Sequence, residues 1–243
     1  MEIIISESKN SLGKQAASKG TELICNAIAL RAEANIIMAT GASQFEMLNE
    51  LVKENINWSR VRAFHLDEYI GIPGTHPASF RKYLKERFVD VVLPMEFNYI
   101  NGNADPQEEC DRLAKKIKQH PIDIAFVGIG ENGHLAFNDP PADFETEEPY
   151  ITVMLDETCR SQQLGEGWFS AIHEVPEKAI SMSIKQIMKS RAIICCVPDL
   201  RKAGAIRKTL EDSITPNIPA SVLRNHEAAW LYLDKDSASL LTK

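Results

Sequence analysis

The chain is short of positive charge. Its 243 residues carry 27 Lys and Arg against 34 Asp and Glu, a formal net charge of −7. Nucleic-acid binding wants a basic face, so no nucleic-acid partner is expected. A small anion needs only one cation and a few backbone N–H groups, so an anionic small molecule stays open. No stretch of about 18 apolar residues occurs, which leaves no membrane span. The start, Met1-Glu2-Ile3-Ile4-Ile5-Ser6-Glu7, has no basic region and no long apolar run, and so does not read as a secretion signal. Cysteine is sparse and unpatterned. Cys25, Cys110, Cys159, Cys195 and Cys196 form no CxxC, and their odd count speaks against a disulfide framework or a zinc site. They read as reduced thiols of a cytoplasmic protein. Gly and Pro, at 12 each, are too few for a fibrous or linker-rich chain.

What is present is an ordinary globular mixture, 44% hydrophobic and 25% charged. A chain of this length buries roughly 70% of its unfolded surface without staples. No linker or internal repeat divides it, and residues 1–243 read as one domain. Short apolar runs alternate with helical patterns. The runs are 34–39, 61–66, 122–127, 150–155, 192–197 and 228–233, with alternation at Ile180, Met182 and Ile184. The helical spacings cover about 10–31, 43–54, 78–88, 105–120 and 200–211. This order predicts βαβ units, hence a three-layer α/β/α domain with a mainly parallel, Rossmann-like sheet.

Parallel sheets place ligands beyond the carboxyl ends of their strands. Four such segments carry polar or glycine residues: Thr40-Gly41-Ala42-Ser43, Asp67-Glu68-Tyr69, Gly128 to Asp139, and Pro198 to Lys202. Gly128-Ile129-Gly130-Glu131-Asn132-Gly133 satisfies GxGxxG, but Pro140-Pro141 follows too soon for the helix a dinucleotide site needs. A plain tight turn, or a glycine-lined pocket wall with His134 and Asp139 facing a substrate, remains. Asp67 is either a cap or ion-pair partner, or a partly desolvated general base. His134 is either a structural histidine or an acid–base group whose tautomer a neighbouring carboxylate fixes. Ser43 is either a plain N-cap or part of an anion site with the free N–H groups of its loop. Lys202, taken alone, carries no meaning.

Taken together, these segments resemble one family. Phe64-His65-Leu66-Asp67-Glu68-Tyr69 is similar to the acidic motif of the glucosamine-6-phosphate deaminases. Gly128 to Pro140 is similar to their catalytic loop, and the order of segments matches from about residue 10 to 240. The resemblance implies an aldose–ketose isomerisation coupled to deamination, converting glucosamine 6-phosphate and water to fructose 6-phosphate and ammonia. It implies Asp67 as the base that moves a proton from C2 toward C1. It implies His134 as the ring-opening acid/base, with Asp139 orienting it and Asn132 beside it. Thr40, Gly41, Ala42, Ser43, Gly128, Gly130 and Lys202 would hold the substrate and its phosphate. No metal and no organic cofactor is implied. The partner is a small sugar phosphate, and a homo-oligomer is left open.

The chain departs from the family pattern at four places. Asn132 stands where well-known members have Asp, and Asp139 where Glu is usual. The anion loop reads Thr-Gly-Ala-Ser-Gln instead of Thr-Gly-Gly-Thr-Pro. The segment Gln162 to Phe169, where an Arg would bind phosphate, has none. Two other readings follow: a 6-phosphogluconolactonase, which shares fold and loop but has Ala-Ser-Leu-Phe-Pro after its His, and a non-catalytic phosphosugar sensor, which the missing Arg favours.

Overall fold

The computed structural model describes residues 1–165 and 167–242. Its ten strands are β1 (Glu2–Ser6), β2 (Ala34–Met38), β3 (Val61–His65), β4 (Asp67–Tyr69), β5 (Glu96–Asn98), β6 (Ile124–Val127), β7 (Tyr150–Met154), β8 (Lys178–Met182), β9 (Ala192–Val197) and β10 (Ala229–Asp234). Its α-helices are α1 (Lys9–Arg31), α2 (Phe45–Leu51), α3 (Phe80–Leu84), α4 (Asp90–Val92), α5 (Pro106–Lys118), α6 (Glu157–Gly165), α7 (Ile184–Met188) and α8 (Ala203–Glu211).

Seven strands form a wholly parallel sheet in the order β1-β10-β9-β6-β2-β3-β5. Both of its faces are buried, and the period of two sorts the side chains. Ile36, Met38, Ile124, Phe126, Ile194 and Cys196 pack with Leu12, Ala16 and Ile24 of α1 and Leu48 of α2. Their sequence neighbours Ile37, Ala125, Val127, Ile193 and Cys195 pack with Leu113 and Ile117 of α5 and Ile206 of α8. A strand covered on both faces has to be apolar throughout, which is why these runs show no alternation. The expected α/β/α layering is what forms.

The helix ends follow local chemistry. Ser8 caps α1, its Oγ accepting from Ser11 N–H at 3.3 Å. Asp105 caps α5 by accepting from Gln107 and Glu108 N–H, and Pro106 takes the first turn, where its missing N–H is harmless.

A second, smaller sheet was not foreseen. β4, β8 and β7 pair antiparallel in that order. The run 61–66 ends one residue early, and the chain leaves one sheet and enters the other across Leu66. The Leu66 N–H donates to Met38 O at 3.3 Å, and its C=O accepts from Met182 N–H at 2.9 Å. Asp67, expected to open a loop, is therefore the first residue of a strand. β1, β5, α6 and α7 also lie outside the sequence expectations, and Ile184 begins α7 instead of extending β8.

The strand order fixes where a ligand can lie. From β2 the sheet grows one way through β3 and β5, and from β6 the other way through β9, β10 and β1. The order reverses between β2 and β6, and at such a switch point the loops part and leave a crevice.

Candidate active site

A cavity of about 300 Å³ opens at this switch point. Thr40, Gly41, Ala42 and Ser43 line it after β2, Asp67 at the sheet junction, Gly128, Gly130 and His134 after β6, and Lys202 after β9. Asn132 and Asp139 stand behind His134 and do not line it. The GxGxxG loop is followed by no helix between residues 134 and 149, so the dinucleotide geometry is absent.

Two glycines are required for different reasons. Gly41 has φ +94°, and a Cβ there would meet nothing within 4 Å, so its backbone conformation is the constraint. At Gly130 a Cβ would lie 2.3 Å from the His134 ring, so close approach is the constraint.

His134 is 7% exposed. Its loop closes on itself, with Gly130 N–H donating to His134 O at 3.0 Å and Gly133 N–H to Gly130 O at 3.0 Å. Asn132 Oδ1 accepts from His134 N–H at 3.1 Å, and Asn132 Nδ2 donates to Asp139 Oδ1 at 3.0 Å. Asp139 Oδ1 lies 2.9 Å from His134 Nδ1. Burial pulls the Asp139 carboxyl upward, yet the His134 bond and charge, with Asn132 and the Cys159 thiol, hold it below its ordinary value. It is an anion that orients the imidazole and leaves Nε2 as the ring's other working nitrogen. The shorter Asp still reaches His134, because Asn132 and Cys159 hold it there.

Asp67 is 6% exposed and pairs with Ser181 across β4 and β8. The Ser181 hydroxyl accepts from Phe137 N–H at 3.1 Å and from Asn138 Nδ2 at 3.3 Å. Asn138 Nδ2 also donates to Met182 O at 2.8 Å. The residue opposite Asp67 thus anchors the loop that carries His134. Glu68 points the other way, as the strand period demands. Its carboxylate accepts from Tyr69, Phe80 and Arg81 N–H and from the Ser79 hydroxyl, capping α3. Burial pushes its pKa up, and those donors counter it. The two adjacent acids share no site.

The cavity has residues that sequence reasoning did not single out. Lys9 and Arg201 add cations to its wall, beside Lys202, which is 8% exposed. Lys9 pairs with Glu46 at 3.3 Å, and Arg201 with Glu131 at 3.6 Å and Asp199 at 3.4 Å. Gln162 and Gln163 of α6 line it too. The adjacency of Arg201 to Lys202 was a readable signal, whereas nothing in the sequence linked Lys9 to this place. Gln44, where the family pattern has Pro, is fully buried. Its Nε2 lies 3.0 Å from Ser43 Oγ, 3.3 Å from Cys196 O and 3.4 Å from Val127 O, joining three strand ends.

The Cys159 Sγ, His134 and Asp139 donor atoms lie within 4.8 Å of one another. These residues could hold a cation only with loss of the proton between His134 and Asp139 and of the thiol proton. Burial and the Asp139 charge push the Cys159 thiol far up, so it is no nucleophile.

A family model described as glucosamine-6-phosphate isomerases/6-phosphogluconolactonase matches residues 7–232. The chain belongs to this family. It is 36% identical to a glucosamine-6-phosphate deaminase of Clostridium novyi over 250 residues, covering 99% of this chain and 100% of that protein. It is 34% identical to the deaminase of Listeria monocytogenes over 248 residues, with the same coverage. A solved structure of a monomeric glucosamine-6-phosphate deaminase matches with a TM-score of 0.90 and 30% identity, covering 99% of this chain and 100% of that one. A 6-phosphogluconolactonase from Trypanosoma brucei matches with a TM-score of 0.82 at 17% identity, covering 99% and 98%, a likeness of fold alone. Among the described residues, no helix is long and apolar enough to cross a membrane.

Proposed function

We propose that the chain deaminates and isomerises glucosamine 6-phosphate, giving fructose 6-phosphate and ammonia. The observation that supports this reading is one cavity lined by Asp67, by His134 with the Asp139 carboxylate behind it, and by the Thr40 to Ser43 loop and Lys202. Lys202 and the N–H groups of Thr40 to Ser43 hold the phosphate. Arg201 and Lys9 supply the positive charge that the segment Gln162 to Phe169 lacks.

His134 moves the proton that opens the pyranose ring, exchanging it at the ring oxygen and O1. Asp67 then takes the C2 proton and returns it to C1. The amino aldose becomes an imine at C2, which water hydrolyses with loss of ammonia. We assign the protein to the cytosol, in keeping with five unpaired thiols.

The test is ammonia release from glucosamine 6-phosphate, run beside hydrolysis of 6-phosphogluconolactone and a thermal-shift series of sugar phosphates. Ammonia release without lactone hydrolysis is expected. Lactone hydrolysis alone would move the chain to the lactonase side, and binding without turnover would make it a sensor.

A further inference from the structure

Helix α6 lines the site with Gln162 and Gln163, and one of them has the chemistry of a substrate contact. Cys159, Gln162 and Gln163 stand three and four residues apart, so they share one face of the helix. Each meets a different part of the machinery. Cys159 lies against Asp139. Gln162 Oε1 accepts from Glu131 N–H, in the His134 loop, at 3.2 Å. Gln163 Oε1 accepts from the Tyr69 hydroxyl at 2.6 Å.

The Tyr69–Gln163 bond is built to aim an amide. Tyr69 sits two residues after Asp67 on β4, on the same face of the strand. Its ring is 1% exposed and packs against Phe80, Phe137 and Phe169, so the hydroxyl has little freedom. Gln163 is itself 5% exposed and lines the cavity with Asp67 and His134. With Oε1 committed to Tyr69, the end left over is the Nε2 donor pair. That donor end faces the cavity, where water meets it until a ligand takes its place.

We propose that Gln163 contacts the substrate, its Nε2 N–H donating to the sugar oxygen that gains charge when the C2 proton leaves. This rests on the deaminase reading above. In that step the C2–H bond breaks, its proton goes to Asp67, and its electron pair forms the C1=C2 bond while the carbonyl pair moves onto O1. Gln163 gives up no atom. A preorganised neutral donor stabilises the developing oxyanion more than the ground-state carbonyl, and so acts on kcat. Tyr69 is a positioning residue that holds the amide in place.

Gln163→Glu is the discriminating variant. It keeps size and the acceptor for Tyr69 but adds a negative charge as it removes the donors, so it is read beside Gln163→Leu, which removes the donors without the charge. With glucosamine 6-phosphate, kcat of Gln163→Glu and Gln163→Leu is expected to fall about 10²–10³-fold. Tyr69→Phe is expected to fall about tenfold. The affinity for inorganic phosphate, measured by calorimetry, stays within twofold in the two uncharged variants, Gln163→Leu and Tyr69→Phe. Activity of Gln163→Glu within threefold of wild type would mean that Gln163 only braces Tyr69, and would overturn the assignment. A parallel loss of phosphate affinity would overturn it too, by showing general damage to the site.

If the wild type releases no ammonia, the deaminase reading fails by itself, and binding of glucitol 6-phosphate decides the contact. One lost donor should weaken that ligand about three- to tenfold in Gln163→Leu, with inorganic phosphate unchanged. Equal affinities in wild type and variant would remove Gln163 from the substrate's reach.

Discussion

The cavity has two walls of different origin. One is made by the carboxyl ends of the parallel strands β2, β6 and β9: the Thr40 to Ser43 loop, Gly128, Gly130 and Lys202. The other is made by the small antiparallel sheet and α6: Asp67 and Gln163, with Tyr69 behind Gln163. The first wall presents main-chain groups and cations, and suits an anion whose position must be fixed. The second presents side chains held by further side chains, and suits proton transfer. His134 belongs to the first wall by its strand, and is tied to the second through Ser181 and Cys159. The parallel sheet alone gives the glycine loops and Lys202; the crossing into a second sheet at Leu66 adds the Asp67 carboxylate.

Asp67→Asn tests the second wall most severely. It keeps shape and removes the proton acceptor, a loss that costs about 10²–10⁴-fold in kcat. Affinity for inorganic phosphate should not move, because the first wall is untouched. Near-normal turnover in the purified variant would take Asp67 out of the chemistry.

Gly130→Ala strikes where the walls meet. Its new methyl would collide with the His134 ring at 2.3 Å, so the ring or the loop that carries it has to shift. Turnover of the cyclic substrate is expected to fall about tenfold or more, with a stability loss of about 1–3 kcal/mol as for other overpacked sites. Gly41→Ala is the matching control, with strain but no collision. If the two variants behave alike, contact with His134 is not what Gly130 is for.

Lys202→Ala addresses the first wall. Loss of one charge-assisted contact costs roughly 1.5–3 kcal/mol, so KM should rise about tenfold or more while kcat holds. Because Arg201 and Lys9 line the same cavity, the double variant Arg201→Ala, Lys202→Ala should lose more than either alone. A single variant as weak as the double would assign all the phosphate binding to Lys202.

The two walls also differ in how legible they were. The first was readable because a strand buried on both faces is an apolar run that stops abruptly, and the residues after the stop are those at the sheet's edge. Thr40, Gly128 and Lys202 each follow such a stop. The second wall gave no such signal. β4 is three residues long and begins one residue after β3 ends, so the two read as one run. α6 is short and polar, and its inner face is defined by Cys159, Gln162 and Gln163, residues that no apolar period marks. The pairing of Asp67 with Ser181 spans more than a hundred residues, and no local pattern encodes it. Asp67 and His134 were legible as candidates from their strand-end segments, and the resemblance to a family's motifs was what chose between their alternative readings. One departure noted there mattered less in space than in sequence: Asp139 still reaches His134.

The smallest expected effect concerns the residue just before the crossing. His65 is wholly buried, with Ile100 N–H donating to its Nδ1 at 3.4 Å. Burial, with the Arg81 charge, pushes its pKa down to about 3. The folded protein therefore holds His65 neutral where the unfolded chain, titrating near 6.5, takes up a proton. Between those two values the unfolded state binds more protons, so stability falls as pH drops from about 6.5 toward 3. From pH 7 to 5.5 this amounts to roughly 1 kcal/mol. His65→Asn keeps an acceptor for Ile100 N–H and cannot be protonated, so its urea midpoint should fall less over that interval than the wild type's. Carboxylates such as Asp139, held low in the fold, lose their contribution only at more acid pH, so they do not cloud the comparison. Equal pH dependence in the two proteins would show that His65 does not set the acid sensitivity of the junction between the walls.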